Sequence, residues 1–187
     1  DATAFDSRIA AEVKNFDPSK YLDKKEARRL GKYITFASAA AQLALKDASL
    51  EINEELSPKT GVMIGSGIGG IQFLEEQAGV LKDKGPGKCS PFMVPLMIND
   101  MAAGIVAIHT KAKGPNGCST TACASGTNAI GDAFEIIKRG DADIMISGGT
   151  EAAITPLGIA GFCAAKALST NNENPEKASR PFDAKRD

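Results

Sequence analysis

The sequence predicts an α/β fold with a largely parallel sheet, and three observations carry that expectation. Short apolar runs such as Val62–Ile64 and Ile144–Ser147 alternate with longer stretches of helical periodicity. Glycine- and proline-rich breakers, SPKTG, GPGKCSP and GPNG, stand between them. At 187 residues the chain is long enough to build one good core.

Residues 1–22 show weak periodicity and are expected to be an irregular lead-in. From Asp23, DKKEARRLGKYITFASAAAQLALKDAS reads as one or two helices, because Leu30, Ile34, Ala37, Ala41 and Leu45 recur at helical spacing. A turn and a short buried strand, Val62 to Ile64, follow. IGGIQFLEEQAGVLKDKG reads as a helix running into a loop, and MINDMAAGIVAIHTKA as another, closed by GPNG. Cys118 to Ala122 is expected to form a short strand, Ser125 to Arg139 a helix, and Asp143 to Ser147 a buried strand. The final ALSTNNENPEKASRPFDAKRD is polar and is expected to be loop.

Composition excludes several function classes. Hydrophobic residues make up 43% and charged residues 24%, as in an ordinary globular protein. Twenty-two Lys and Arg balance 23 Asp and Glu, so the basic excess of a nucleic-acid binder is missing. The sequence shows no signal-peptide pattern and no apolar run of membrane-spanning length. The cysteines at 89, 118, 123 and 163 have neither a disulfide-framework nor a zinc-site spacing. Reduced thiols in a cytoplasmic compartment are the expectation.

Gly65, Gly67 and Gly70 match the G-x-G-x-x-G dinucleotide fingerprint. That motif needs a second strand after the helix, ending in an acidic residue. Here the helix runs into KDKGPGKCSPF, which has no apolar strand, so the glycines are expected to serve a tight turn and close packing.

The stretch GCSTTACASGTNAIGDAF sets Cys123 among small residues. A strand, Cys123, and then Ala124-Ser125-Gly126 opening a helix would place the thiol where a helix N-terminus favours thiolate. Small residues at 122, 124 and 126 would permit a sharp elbow, and the Cys123 N–H could face an oxyanion. The same pattern equally describes a small core cysteine. The sole histidine, His109, lies on an apolar-periodic helix and reads as structural.

TTACASG, the IGSGIGG turn, the SPFMVP…NDMAAG segment and SRPFDAKRD fall together in the order and spacing of the β-ketoacyl-[acyl-carrier-protein] synthases. The chain resembles the elongating type II members over essentially its whole length. The resemblance implies a thiolase-like fold, layered α-β-α-β-α in the full enzyme. These 187 residues would form an incomplete N-terminal half with a mostly parallel sheet, lacking the family's first strand and C-terminal half. It implies fatty-acid chain elongation: Cys123 takes an acyl group as a thioester and condenses it with malonyl-carrier protein, losing CO₂. It implies no cofactor and no metal, and assigns the catalytic histidines and a lysine to the absent half.

By the same resemblance, the Cys123 N–H is one oxyanion donor, and Ile68 and Phe162 line the acyl pocket. Met93 and Val94 match residues that reach the pocket floor from the partner subunit of a homodimer. Lys25, Arg28 and Arg29, with Lys88 and Lys166, match the docking patch for the acidic acyl carrier protein. Lys25, Arg28, Arg29 and Lys32 also stand at i, i+3, i+4 and i+7, expected to form one stripe of cations on a single helix. Two other readings remain. One is a non-catalytic, chain-length-factor-like subunit, which the retained Cys123 disfavours. The other is a thiolase or initiating synthase using coenzyme A thioesters, which SRPFD and SPFMVP fit less well.

Overall fold

A computed structural model describes residues 2–187, which divide into two compact units. The larger unit, Asp17–Ala152, is built on a three-stranded parallel sheet in the order β2-β1-β3. Strand β1 is Thr60–Gly65, β2 is Asn116–Gly117 and β3 is Ile144–Gly149. Parallel neighbours require helical crossovers, and the helical stretches in the sequence supply them. Helices α1 (Lys24–Ala27) and α2 (Lys32–Asp47) precede β1; α3 (Ile71–Lys84), α4 (Met93–Met97) and α5 (Met101–Thr110) cross from β1 to β2, and α6 (Ser125–Arg139) crosses from β2 to β3.

Side chains alternate across β1, and the two faces take different partners. Val62 and Ile64 are buried with Ile146 against α2 (Tyr33, Ile34, Ala37, Ala41) and α5 (Ala102, Ala103, Val106). On the opposite face, a Cβ built on Gly65 would lie 2.1 Å from the Ser125 carbonyl oxygen, so α6 presses on the backbone there. Burying a Val or Ile of this kind stabilises by about 1.5–3 kcal/mol each, and this apolar cluster holds the unit together.

Three expectations need correction. The strand read at Cys118–Ala122 is instead Asn116–Gly117, paired with Val62 and Met63. After Gly117 only the Ser66 N–H to Ser119 carbonyl bond (3.2 Å) follows β1, which itself ends at Gly65. The residues from Ser119 onward take side-chain partners instead: Ser119 Oγ bonds Asp132 at 2.5 Å, and Thr120 Oγ1 accepts from Asn99 at 3.2 Å. The helix read across 97–112 is shorter, α5 at Met101–Thr110, and Met97 instead closes the separate short helix α4, which takes in Met93 and Val94. The single cationic helix is also broken. Gly31 is extended (φ −66°, ψ 155°) and caps α2, so Lys25 lies in α1, Arg28 and Arg29 in the turn, and Lys32 at the start of α2.

The smaller unit joins the residues up to Phe16 to Ala153–Asp187. Its helix α7 (Pro156–Ala164) went unread in the sequence, although Thr155-Pro156 is a start signal. Thr155 Oγ1 accepts from the Gly158 N–H at 3.0 Å, capping the helix. Asn172 ties the two chain segments, donating to the Asp6 carbonyl at 2.9 Å and accepting from the Arg8 N–H at 2.7 Å. No described helix is long and apolar enough to cross a membrane.

Because Gly65 meets backbone atoms that cannot rotate away, Gly65→Ala should destabilise the protein by about 1–3 kcal/mol. Gly79, inside α3, has nothing within 4 Å of a built Cβ. Gly79→Ala should therefore stabilise by about 0.5–1 kcal/mol. Urea unfolding of the two variants checks both signs, and equal effects would contradict this packing.

Candidate functional site

Parallel strands end together, and ligands of α/β sheets bind beyond their carboxyl ends. Here β1 and β3 end at Gly65 and Gly149, paired with each other. Helix α6 starts at the same level, because Gly126 packs on Gly149 with a built Cβ only 3.2 Å from the Gly149 Cα. Cys123 stands just before α6 and is exposed, whereas Cys89, Cys118 and Cys163 are half-buried. The small core-cysteine alternative is thereby set aside by its exposure.

The elbow is built from a strained residue and a lock. Ala122 has φ +52°, the left-handed region that L-residues occupy at a cost of about 1–2 kcal/mol. Ser125, buried, offsets this: its hydroxyl donates to the Ala122 carbonyl at 2.6 Å and accepts from the Thr121 N–H at 2.9 Å. The Ala124 N–H bonds the Thr121 carbonyl at 3.1 Å, and Ser125 N–H the Ala122 carbonyl at 3.1 Å. Sequence reasoning credited the elbow to small residues and missed Ser125, although Ser beside a helix start is a turn-forming signal.

The glycine-rich turn lies beside the elbow. A Cβ on Gly67 would come within 3.1 Å of the Ala122 carbonyl oxygen. Asn99 joins the two, its Nδ2 donating to the Ser66 carbonyl (2.9 Å) and to Thr120 Oγ1 (3.2 Å). The three N–H groups of Gly67, Ile68 and Gly69 converge as a nest that could hold a phosphate. The Glu151 carboxylate already fills it, at 2.7, 3.0 and 3.2 Å. The turn is thus closed by the chain's own anion, in line with the packing role expected for these glycines. Glu151 gave no signal in the sequence, because its partners are backbone groups more than eighty residues away.

Ile68 is half-buried in that turn. Met93 opens α4 half-buried and Val94 is exposed, while the far end of α4 reaches the turn through the Gly70 N–H to Met97 carbonyl bond (3.1 Å). Phe162, on α7, and Lys166, ion-paired with Asp6 at 3.5 Å, belong to the smaller unit.

Arg28, Arg29 and Lys32 remain near one another despite the broken helix. They line a cavity of about 190 Å³ with Gly69, Gly70 and Gln72, on another side of the glycine turn. The Arg29 guanidinium lies 5.9 Å from the Phe92 ring centroid. Lys25 and Lys88 are exposed. Glu26, the acid among these cations, is taken up elsewhere: its carboxylate meets His109 Nε2 at 2.9 Å. Beneath the site, Tyr33 donates to the Ile98 carbonyl at 2.7 Å. Burial first, then the charges of Asp100, Cys118 and Glu151, push its phenol well above the usual tyrosine range, so it stays a donor. Among the described residues, no group of three or more His, Cys, Asp or Glu side chains is placed to hold a metal ion.

The model of the β-ketoacyl synthase N-terminal domain matches residues 2–187. The chain belongs to the β-ketoacyl synthase family. It is 55% identical over all its 187 residues to 3-oxoacyl-[acyl-carrier-protein] synthase 2 of Synechocystis sp., and 54% identical to that of Staphylococcus aureus. It spans 45% and 46% of those proteins' lengths. A β-ketoacyl synthase structure from Burkholderia phymatum superposes with a TM-score of 0.86 at 32% identity, over 98% of this chain and 45% of that one. A ketosynthase solved with its type II polyketide acyl carrier protein shares the fold, at TM-score 0.76 and 23% identity, over 81% of this chain and 44% of that one. The expected thiolase-like architecture is therefore that of its structural relatives.

Exposure makes Cys123 the thiol that reagents meet first. Brief treatment of the folded protein with iodoacetamide, followed by peptide mapping, should label Cys123 at least several-fold faster than Cys89, Cys118 or Cys163. Equal labelling of all four would contradict the elbow geometry.

Proposed function

We propose that this chain supplies the nucleophile half of a fatty-acid-elongating β-ketoacyl-carrier-protein synthase. One observation carries the reading: Cys123 is exposed on a locked elbow where β1, β3 and the start of α6 meet. Cys123 sulfur attacks the carbonyl of an acyl thioester on the carrier protein, and the carrier's thiol leaves. Malonyl-carrier protein then loses CO₂, and its carbanion attacks the Cys123 thioester. The C–S bond breaks, the thiol is regenerated, and the product is a 3-ketoacyl chain two carbons longer. A sulfur nucleophile suits this two-step order because it both attacks and leaves readily. The Cys123 N–H serves as one oxyanion donor.

His109 is engaged by Glu26, so proton transfer and polarisation of the malonyl thioester are assigned to histidines outside these 187 residues. Ile68 lines the acyl pocket, and Phe162, in the smaller unit, is assigned to acyl binding from the family resemblance. Met93 and Val94 act across a homodimer, near β2, whose only strand partner among the described residues is β1. Four free cysteines fit a cytoplasmic enzyme.

The partner is an acyl carrier protein, met by Lys25, Arg28, Arg29, Lys88 and Lys166. Arg28 and Lys32 make no ion pair among the described residues, and a ketosynthase of this fold is known bound to its own carrier protein. Clustered cations on a chain of net charge −1 steer an acidic partner and raise its association rate.

The test is condensation by the complete protein given acyl- and malonyl-carrier protein. Reversing Arg28 and Arg29 to Glu together should raise the KM for acyl-carrier protein by about tenfold or more at low salt, fading as salt screens the charges. An unchanged KM removes the docking assignment, and absence of any 3-ketoacyl product from the unaltered protein removes the proposed activity.

A further inference from the structure

Glu151 has a feature that closing the turn alone leaves unexplained. Three consecutive N–H groups, on Gly67, Ile68 and Gly69, are spent on one carboxylate (2.7, 3.0 and 3.2 Å), with the buried Ser66 hydroxyl as a fourth donor at 3.2 Å. Hydrogen bonds to an ionised acceptor are shorter and about twice as strong as neutral ones. Both ends of the clamp are themselves fixed. Beside Glu151, the Thr150 N–H bonds the Gly65 carbonyl at 2.9 Å, and Thr150 Oγ1 bonds the Tyr33 carbonyl at 2.6 Å. Beyond the clamped peptides, the Gly70 N–H bonds Met97, and Asn99 holds the Ser66 carbonyl. The only residue of this turn, 65–70, with a side chain larger than a hydroxymethyl group is Ile68.

We propose that Glu151 is a positioning residue that sets the acyl-chain selectivity of the site by fixing the direction of the Ile68 side chain. The clamp bonds the Ile68 N–H itself, and the peptides on either side of it, so the Cα–Cβ vector of Ile68 cannot turn without breaking at least one charged hydrogen bond. Gly67, one residue before, packs against Ala122 of the elbow, so that vector is fixed relative to the nucleophile. The proposal rests on Ile68 lining the acyl pocket. Glu151 touches no substrate and acts only through the turn. In Glu151→Gln one oxygen becomes an NH₂ group, which cannot accept, so at least one of the four donors loses its partner.

The experiment uses the complete protein and follows acylation of Cys123 by hexanoyl- and dodecanoyl-carrier protein, reading the ratio of the two rates. Ile68→Ala should change that ratio by about tenfold, the scale of a few methylenes in an apolar pocket. Glu151→Gln should change it by about fivefold, with Glu151→Asp, which keeps the charge, falling between it and the unaltered protein. In an Ile68→Ala background Glu151→Gln should change the ratio by less than about twofold, because no side chain is left to direct. Alkylation of Cys123 by iodoacetamide should stay within about twofold throughout, which a general loosening of the fold would not allow.

If Ile68→Ala shifts the ratio and Glu151→Gln does not, the positioning role is overturned while the pocket reading stands. The positioning role is likewise overturned if Glu151→Gln acts equally with and without the Ile68 side chain. If Ile68→Ala leaves the ratio unchanged, the pocket reading fails and this inference fails with it. Should Glu151→Gln not fold, amide exchange in the unaltered protein decides: strong protection at Gly67, Ile68 and Gly69 is expected, and free exchange there overturns the clamp.

Discussion

The site depends on backbone meeting backbone at three glycines. Gly65, Gly126 and Gly149 let the first turn of α6 lie directly on the ends of β1 and β3, where any Cβ would intrude to between 2.1 and 3.2 Å of main-chain atoms. That approach fixes the level at which α6 begins, and so the level at which Cys123 emerges. The segment before it has to turn sharply, and the left-handed Ala122 is how it does so. Ser125 then satisfies the peptide groups that the turn exposes, which is why a buried hydroxyl sits at this helix start. Strain at one residue persists because its surroundings over-determine it, a pattern that concentrates at functional sites.

Charge is allocated as tightly as space. Two of the carboxylates near these cations are committed to internal partners, Glu151 to the glycine turn and Glu26 to His109, and Glu76 is the one acid that lines the cations' cavity. Arg28, Arg29 and Lys32 are left around one cavity beside that turn. A balanced sequence thus yields a locally positive surface without any net basic excess. The same turn therefore has the Cys123 elbow on one side and cations on another, and a single carboxylate, that of Glu151, holds it in place.

Much of the fold was legible in the sequence because it follows from periodicity. Helix α6 was read to the residue, and β1 and β3 to within two residues at each end, since apolar spacing and glycine breaks mark them. What was not legible depends on partners distant in sequence. In the register of β2 the residues from Thr120 onward have no partner on β1, which ends at Gly65, and Ser119 and Thr120 are held by the Asp132 and Asn99 side chains instead. Gly31 decided that the cations are divided between two helices, a capping choice that the i, i+3, i+4 spacing could not show. Cys123 was legible as a candidate from its small neighbours. Ser125 and Glu151, which hold it and its neighbouring turn, were not, because one acts through a local hydroxyl geometry and the other through backbone donors far along the chain.

The central claim is that Cys123 carries the acyl group. Mixing the complete protein with acyl-carrier protein in the absence of malonyl substrate, then mapping peptides by mass, tests it directly. The account predicts one acyl group per chain, on the peptide containing Cys123, and none in Cys123→Ala. An acyl group found on another residue, or equal acylation of Cys123→Ala, would contradict it.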